Sequence, residues 1–444
     1  MKNRLFVLTL LISLVLTACG APAPATTAPA AQAPAAQAPA AAQPAAGAAP
    51  VQITYMEWGD PAELDVWKAI VSDFEAANPN IKVDVQVSDW ESYWTKLKTL
   101  LAANTPPDVF AIDAPLYLDY QSRGVLLNLQ PLIDKNPGML DGLFPNTLTA
   151  YQTPDGYFGL PRDFQTIVVF YNKDMFDKAG VAYPKPDWTY DDLRATAKAL
   201  TKDTNGDGKI DQFGYVIDPY DFEPGMSEII WAFGGDLINA DHTQTLLGEP
   251  KARQAFQFLH DMMFIDKSIP DPNTATQFGG DLFLSGNAAM MAMGHWAVPS
   301  YSGAPFKWDA ALMPKGPAGQ ATSVNSAGFV VGKDSKHPEE AFAFIKFVES
   351  VAGQTRLAEM GFACPVLKSV AESDAFLKQS TPINHQMFID SLAFAHMKPV
   401  FKGYDEWSST IGDALTPMWN GEAELNPTLD EIVTSADAVL AKNQ

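Results

Sequence analysis

Apolar residues recur with two alternating periods between Val51 and Asp113, and each switch of period marks an element. "VQITYMEW" (51–58) predicts a strand, ended by Gly59. Asp60 then stands as a helix N-cap with Pro61 at the first helical position, where a missing N–H costs nothing. Val66, Ile70 and Phe74, with Trp67 and Val71, follow at helical spacing until "NPN" (78–80) stops the run. "IKVDVQV" (81–87) alternates strictly, so its Ile and three Val share one face of a half-buried strand. "ESYWTKLKTLLAAN" (91–104) predicts a helix and "PDVFAID" (107–113) a short strand. Strand, helix, strand, helix, strand is the order of an α/β layer.

The theme continues downstream. "TIVVFY" (166–171), "FGYVID" (213–218), "AAMMAMG" (288–294) and "AGFVVGK" (327–333) read as strands. "TYDD" (189–192) is a capping-box start to a helix carrying Leu193, Ala197 and Leu200. "KARQAFQFLHDMMF" (251–264) and "HPEEAFAFIKFVES" (337–350) are periodic helices, the second with Pro338 in its first turn. No internal repeat interrupts the series.

The first fifty residues follow neither period. Lys2 and Arg4 precede an apolar run, Leu5 to Leu16, which is too short for a transmembrane helix of about 20 residues and reads as the core of a secretory signal. "LTAC" (16–19) resembles a bacterial lipobox. Residues 1–18 are then a lipoprotein signal peptide, and Cys19 is the lipidated first residue of the mature chain. Acyl chains contribute about 0.8 kcal/mol per buried CH₂, so two or more hold a protein on a membrane durably. From there to Pro50 the chain is Ala, Pro and Gln with a few Thr, a composition that cannot bury enough surface to fold. Residues 19–50 are therefore expected to be a lipidated cysteine and its tether, on the outer face of the bacterial cytoplasmic membrane. Fully extended, the tether reaches roughly 100 Å.

Composition narrows the partners. The remaining stretch, roughly 390 residues, exceeds the size at which single cores usually divide. A formal charge of −22 excludes nucleic acid, whose phosphates require Lys and Arg, and would repel an anionic membrane, so the lipid must do the anchoring. With two cysteines in all and Cys19 carrying lipid, Cys364 has no disulfide partner. A monomer is the default.

An ordered series of segments then carries a resemblance. "ITYMEWGD", "FEAANPNIKVDVQV", "TPPDVFAID", "GYFGLPRDFQTIVVFYNKDMFDKAG", "NAAMMAMGHWAV", "HPEEAFAFIKFVESVAGQ" and "WNGEAELNPTLDEIV" are similar, in this order, to extracytoplasmic solute-binding proteins of ABC importers. The branch is that of the maltose-binding and glycerol-3-phosphate-binding proteins. The resemblance implies an α/β, two-lobed periplasmic-binding-protein fold of type II, with a ligand cleft between the lobes. It implies one lobe from 51–162 plus 325–362 and another from 163–324 plus 363–444. Crossings are expected near Pro161–Gln165, Gly316–Ser326 and Gly361–Pro365. The implied partners are a small solute and the transmembrane subunits of an ABC permease.

Ligands in such folds sit at the carboxyl ends of parallel strands and between domains. That selects Trp58 and Asp60 after the first strand, Asp113 after "DVFAID", His295 and Trp296 after "AAMMAMG", and Arg162 and Asp163 at the first crossing. The resemblance adds Trp231, Trp407 and Tyr93, which fall in segments where relatives present aromatics to the cleft. Trp67, Trp90, Trp94 and Trp188 read as structural. The set suits a mono- or oligosaccharide: indole rings lie against the C–H faces of a pyranose, while carboxylates and a guanidinium take its hydroxyls. A glycerophosphodiester or polyol is the competing solute. Against each assignment stands a plainer one, since a Trp is often core, Asp60 is also a cap, and Arg162 and Asp163 can simply pair with each other.

"DTNGDGKIDQFG" (203–214) matches the first nine positions of a calcium loop, with Asp203, Asn205, Asp207, the Lys209 carbonyl and Asp211 as donors. It departs at the twelfth, where Gly214 replaces the bidentate Glu. A structural Ca²⁺ ion is the expectation here, against a bare Asx turn. No cofactor is needed for function. No G-x-S-x-G, H-E-x-x-H, Walker or Rossmann motif is present, and the six histidines lack metal-ligand spacing. An enzyme, at most a secreted glycoside hydrolase, is the lesser reading.

Overall fold

A five-stranded sheet organises the first lobe, with strands in the order Ile81–Ser88, Val51–Trp58, Val109–Asp113, Ala327–Val331 and Gly159–Pro161. The computed structural model describes residues 49–218, 222–379 and 384–443. The signal, Cys19 and nearly all of the tether lie outside the described residues. Val51–Trp58 runs parallel to Ile81–Ser88 in unbroken register, and parallel to Val109–Asp113 on its other side. Parallel neighbours need a crossover helix, and two helices, Pro61–Ala77 and Trp90–Ala102, supply it. The strand from far down the chain, Ala327–Val331, enters antiparallel beside Val109–Asp113, with Ala327 opposite Asp113.

The helix starts form as their sequences dictate. Asp60 caps Pro61–Ala77, accepting from the N–H groups of Ala62 and Glu63 while the Glu63 carboxylate accepts from the Asp60 N–H. Thr189 and Asp192 make the same reciprocal box at Tyr190–Leu200. The buried stripe Val66, Trp67, Ile70, Val71 and Phe74 packs on Ile53, Tyr55, Phe329 and the helix Pro338–Val348, which closes this lobe's core.

The other lobe carries a smaller antiparallel sheet, Trp308–Ala311, Val168–Asn172 and Met290–Met293. It is backed by a helical layer that includes Pro250–His260, Tyr404–Trp419 and Leu425–Asn443. Two expected elements differ. "KARQAFQFLHDMMF" is an α-helix only to His260 and continues as a π-turn through Ile265. "FGYVID" is no strand but touches the sheet at two isolated bridges, Phe213–Ala288 and Val216–Met291. Gly214 presses so closely on Ala197 that a Cβ would lie 1.9 Å from its carbonyl oxygen.

Between the two sheets lies a third. Cys364–Pro365 pairs with Asp163–Thr166, which pairs with Thr322–Asn325, which pairs with Ala395–Met397. Three of these four strands fall within the segments expected to cross between lobes. No helix among the described residues is long and apolar enough to span a membrane.

Candidate functional site

Three parallel strands end at the same rim. Trp58 closes the first strand, Asp89 and Trp90 follow the second, and Asp113 closes the third. Together they form one wall of a crevice of about 520 Å³. The facing wall brings Trp296 from beyond Met290–Met293, with Asp218, Glu223 and Lys398. The floor is the third sheet, through Asp163, Gln165 and Asn325, with Arg162 and Phe362 beside it. The volume is that of a small-molecule site, and its polar groups converge from several elements.

Two glycines shape the walls. Gly59 has φ +153, a conformation that side chains resist, and a Cβ there would meet the Glu63 carboxylate at 2.7 Å. At Gly294 a Cβ would fall 1.8 Å from the Trp296 ring, so only glycine lets that indole fold back over the strand end.

Trp58 is half-buried at the centre of an aromatic group. Its ring lies 5.1 Å from Trp90 and 5.3 Å from Tyr93, both edge-on, and 5.6 Å from Trp94. Beneath it the Arg162 guanidinium sits 5.4 Å from the Trp58 ring and 5.2 Å from both Trp67 and Phe362. Arg162 is buried and tied to Glu57 and, at 2.6 Å, to Asp163. Glu57 in turn accepts from the Tyr55 hydroxyl. Burial pushes the Glu57 carboxyl above its ordinary value, against the pull of Arg162 with which it makes a close ion pair. Arg162 thus holds Trp58 from below as well as lining the crevice.

The carboxylates divide by environment. Asp60 keeps its capping role with one oxygen and accepts from the Ser300 hydroxyl, on the opposite wall, with the other. Burial pushes the Glu63 carboxyl up to about 8, and burial pushes Glu223 up to about 7 against the pull of Lys398. Lys398 lies 3.2 Å from Glu223 and 4.0 Å from Asp113, linking the walls, while Asn325 donates to Asp113 at 2.6 Å.

Of the residues expected at the site, Trp58, Asp60, Asp113, Arg162, Asp163 and Trp296 line the crevice together. Four do not. Tyr93 is fully buried, its hydroxyl given to the Ala111 carbonyl and its ring behind Trp58. His295 points into the core, 2.9 Å from His385 and among Phe376 and Phe388, and burial drives its pKa well below the usual histidine value. Trp407 is fully buried, donating to Thr245 and stacked on Phe222. Trp231 is buried, donates to Asp236 and stacks on His396 away from the crevice. In each case a partnered polar atom and a full apolar contact surface explain the inward position.

Trp90 is the opposite case. Read as structural, it lines the crevice and is 41% exposed, the first residue of its helix rather than part of the buried face. Gln165 was legible as the same-face neighbour of Asp163, two residues along a strand. Glu223, Asn325, Phe362 and Lys398 carry no local signal and are gathered only by the fold.

The loop expected to hold calcium closes on itself. Both Asp203 oxygens accept from backbone N–H groups, of Gly206 and Gly208, while Asn205 accepts from Asp207, Asp207 from Lys209 and Asp211 from Thr204. Among the described residues, no three His, Cys, Asp or Glu side chains group as a metal would need. The donor set as arranged fits a chain of Asx turns and supplies no cage for the ion.

Comparison with known proteins agrees with the two-lobed fold. The family described as bacterial extracellular solute-binding protein matches residues 58–355. A putative binding protein of Brucella abortus is 27% identical over 407 residues, covering 89% of this chain and 94% of its own. A galactooligosaccharide-binding protein of Bacillus subtilis is 23% identical over 384 residues, 85% of this chain and 87% of its own. Among solved structures, an ABC substrate-binding protein of Listeria monocytogenes in complex with cycloalternan superposes with a TM-score of 0.81 at 28% identity, covering 88% of this chain and 99% of its own.

Proposed function

The chain belongs to the bacterial extracellular solute-binding proteins, and we propose that it captures a mono- or oligosaccharide between its lobes and hands it to an ABC permease. One observation carries the reading: Trp58, Trp90 and Trp296 converge with carboxylates on a crevice of about 520 Å³ at the strand ends. Indole faces take the apolar faces of a sugar ring, and the carboxylates accept from its hydroxyls. A polar group left unmatched by the wrong solute costs about 1–3 kcal/mol, which provides selectivity. The chemistry is capture alone, with no bond made or broken. Closure brings contacts that the open form lacks, so solute shifts the population toward the closed form, whose shape the permease reads.

The bridge from Asp60 to Ser300 and the Lys398–Asp113 pair span the two walls and support such a closure. Cys19 and the residues 20–50 complete the proposal as a lipid anchor and a leash, keeping the domain beside its transporter while free to turn. A thermal-shift screen over sugars, polyols and phosphodiesters tests the solute class, with stabilisation by a sugar expected. Stabilisation by phosphodiesters alone would refute the sugar reading. Incubation with oligosaccharides is expected to yield no cleavage; released fragments would instead support a hydrolase.

A further inference from the structure

The crevice is lined by more acidic than basic side chains. Among the described residues it is lined by seven carboxylic side chains and two cationic ones. Both cations are already engaged: Arg162 with Glu57 and Asp163, Lys398 with Glu223 and Asp113. Neither is a spare partner for a phosphate or carboxylate on a solute.

Two acceptors on the floor point the same way. Asp163 and Gln165 sit two apart on the strand Asp163–Thr166, hence on one face, and both line the crevice. Each is more than nine-tenths buried, 1% and 7% exposed. Asp163 Oδ2 is taken by Arg162, but among the described residues neither Asp163 Oδ1 nor Gln165 Oε1 has a hydrogen-bond partner. A buried acceptor without a donor costs about 1–3 kcal/mol, more when it is charged. What best relieves two such oxygens in a cleft richer in acids than bases is a group with several donors and a positive charge. A neutral sugar can give the two oxygens two hydroxyls but brings no charge to set against Asp163.

We propose that the solute is an amino sugar, whose protonated amine docks on Asp163 Oδ1 and Gln165 Oε1 at the crevice floor while its ring lies among the indoles. This rests on the sugar reading above and sharpens it to a charge class. The raised carboxyls of Glu63 and Glu223 are consistent with it, because an incoming cation lowers them and releases protons.

The test uses the full chain and matched sets of probes: glucosamine, glucose and glucuronate, with the corresponding galactose and disaccharide sets. Affinities are measured by calorimetry at neutral pH in buffers of differing ionisation heat. Within whichever scaffold binds, the amine form is expected to be tighter than the parent by about tenfold, equivalent to about 1.4 kcal/mol. The uronate is expected to be weaker than the parent. Added salt should erode the amine's advantage and leave the parent unchanged, and amine binding should release protons.

Gln165→Met, which leaves the Arg162 pair untouched, is expected to shrink the amine-to-parent ratio, and Asp163→Asn to abolish it. Binding of parent sugars with no preference for the amine overturns this proposal and leaves the sugar reading standing. Failure of every form of every scaffold overturns both.

Discussion

Trp58 and Trp407 show how one residue type serves two ends. Trp58 is half-exposed over Arg162 and beside Trp90, whereas Trp407 is fully enclosed. Trp58→Ala is therefore expected to lower solute affinity at least tenfold with a small change in melting temperature. Trp407→Ala should cost about 3–5 kcal/mol of stability. Calorimetric titration beside denaturant unfolding separates the two. Arg162→Met strands Glu57 in the interior, and removing one member of a buried pair costs about 3–5 kcal/mol. Because Asp163 is stranded as well, the double variant with Glu57→Gln should regain part of that loss and the triple variant with Asp163→Asn most of it.

Glu223 gives the residue-scale pH signature. Its folded carboxyl is raised from 4.5 to about 7, so between those values the folded state holds a proton that the unfolded state has released. Stability from this group is present below the lower value and is lost as pH rises through the upper one. Glu223→Gln should flatten the fall in melting temperature across that window. Unaltered slope would show that the group titrates normally.

At the scale of elements, periodicity predicted those that are amphipathic and capped. Pro61–Ala77, Ile81–Ser88, Tyr190–Leu200 and Pro338–Val348 lie where their apolar stripes and caps place them. It failed where local pattern and packing disagree. "FGYVID" has strand composition, yet it meets the sheet only at the isolated bridges Phe213–Ala288 and Val216–Met291. Apart from this, the loop 203–211 keeps its calcium pattern while its oxygens accept from its own amides. Its melting temperature should therefore be insensitive to chelator and to added calcium, and a calcium-dependent rise would restore the metal. The crossing strands expose the same limit: their Gly and Pro suggest bends, but that they pair into one sheet follows only from register.

For the whole molecule, the two-walled crevice makes closure the central expectation. Saturating solute should reduce the radius of gyration in small-angle scattering. Ser300→Ala, which removes the bridge to Asp60, should weaken affinity several-fold while preserving the fold. Shortening residues 20–50 to a few residues is expected to impair uptake severely in cells and to leave affinity in solution unchanged. Full uptake on so short a leash would remove the reason given for it.

Local pattern alone was enough to predict the α/β order of elements and, at the strand ends of the first lobe, Trp58, Asp60 and Asp113. Such features depend on neighbours in sequence, through caps, periods and strand ends. Only tertiary structure decided which aromatics face solvent, turning Trp90 outward and Tyr93, Trp231, His295 and Trp407 inward. It alone brought Glu223, Phe362 and Lys398 to a rim built by residues hundreds of positions away. Burial and ion pairing are set by what arrives from elsewhere in the chain, and no local stretch carries that information.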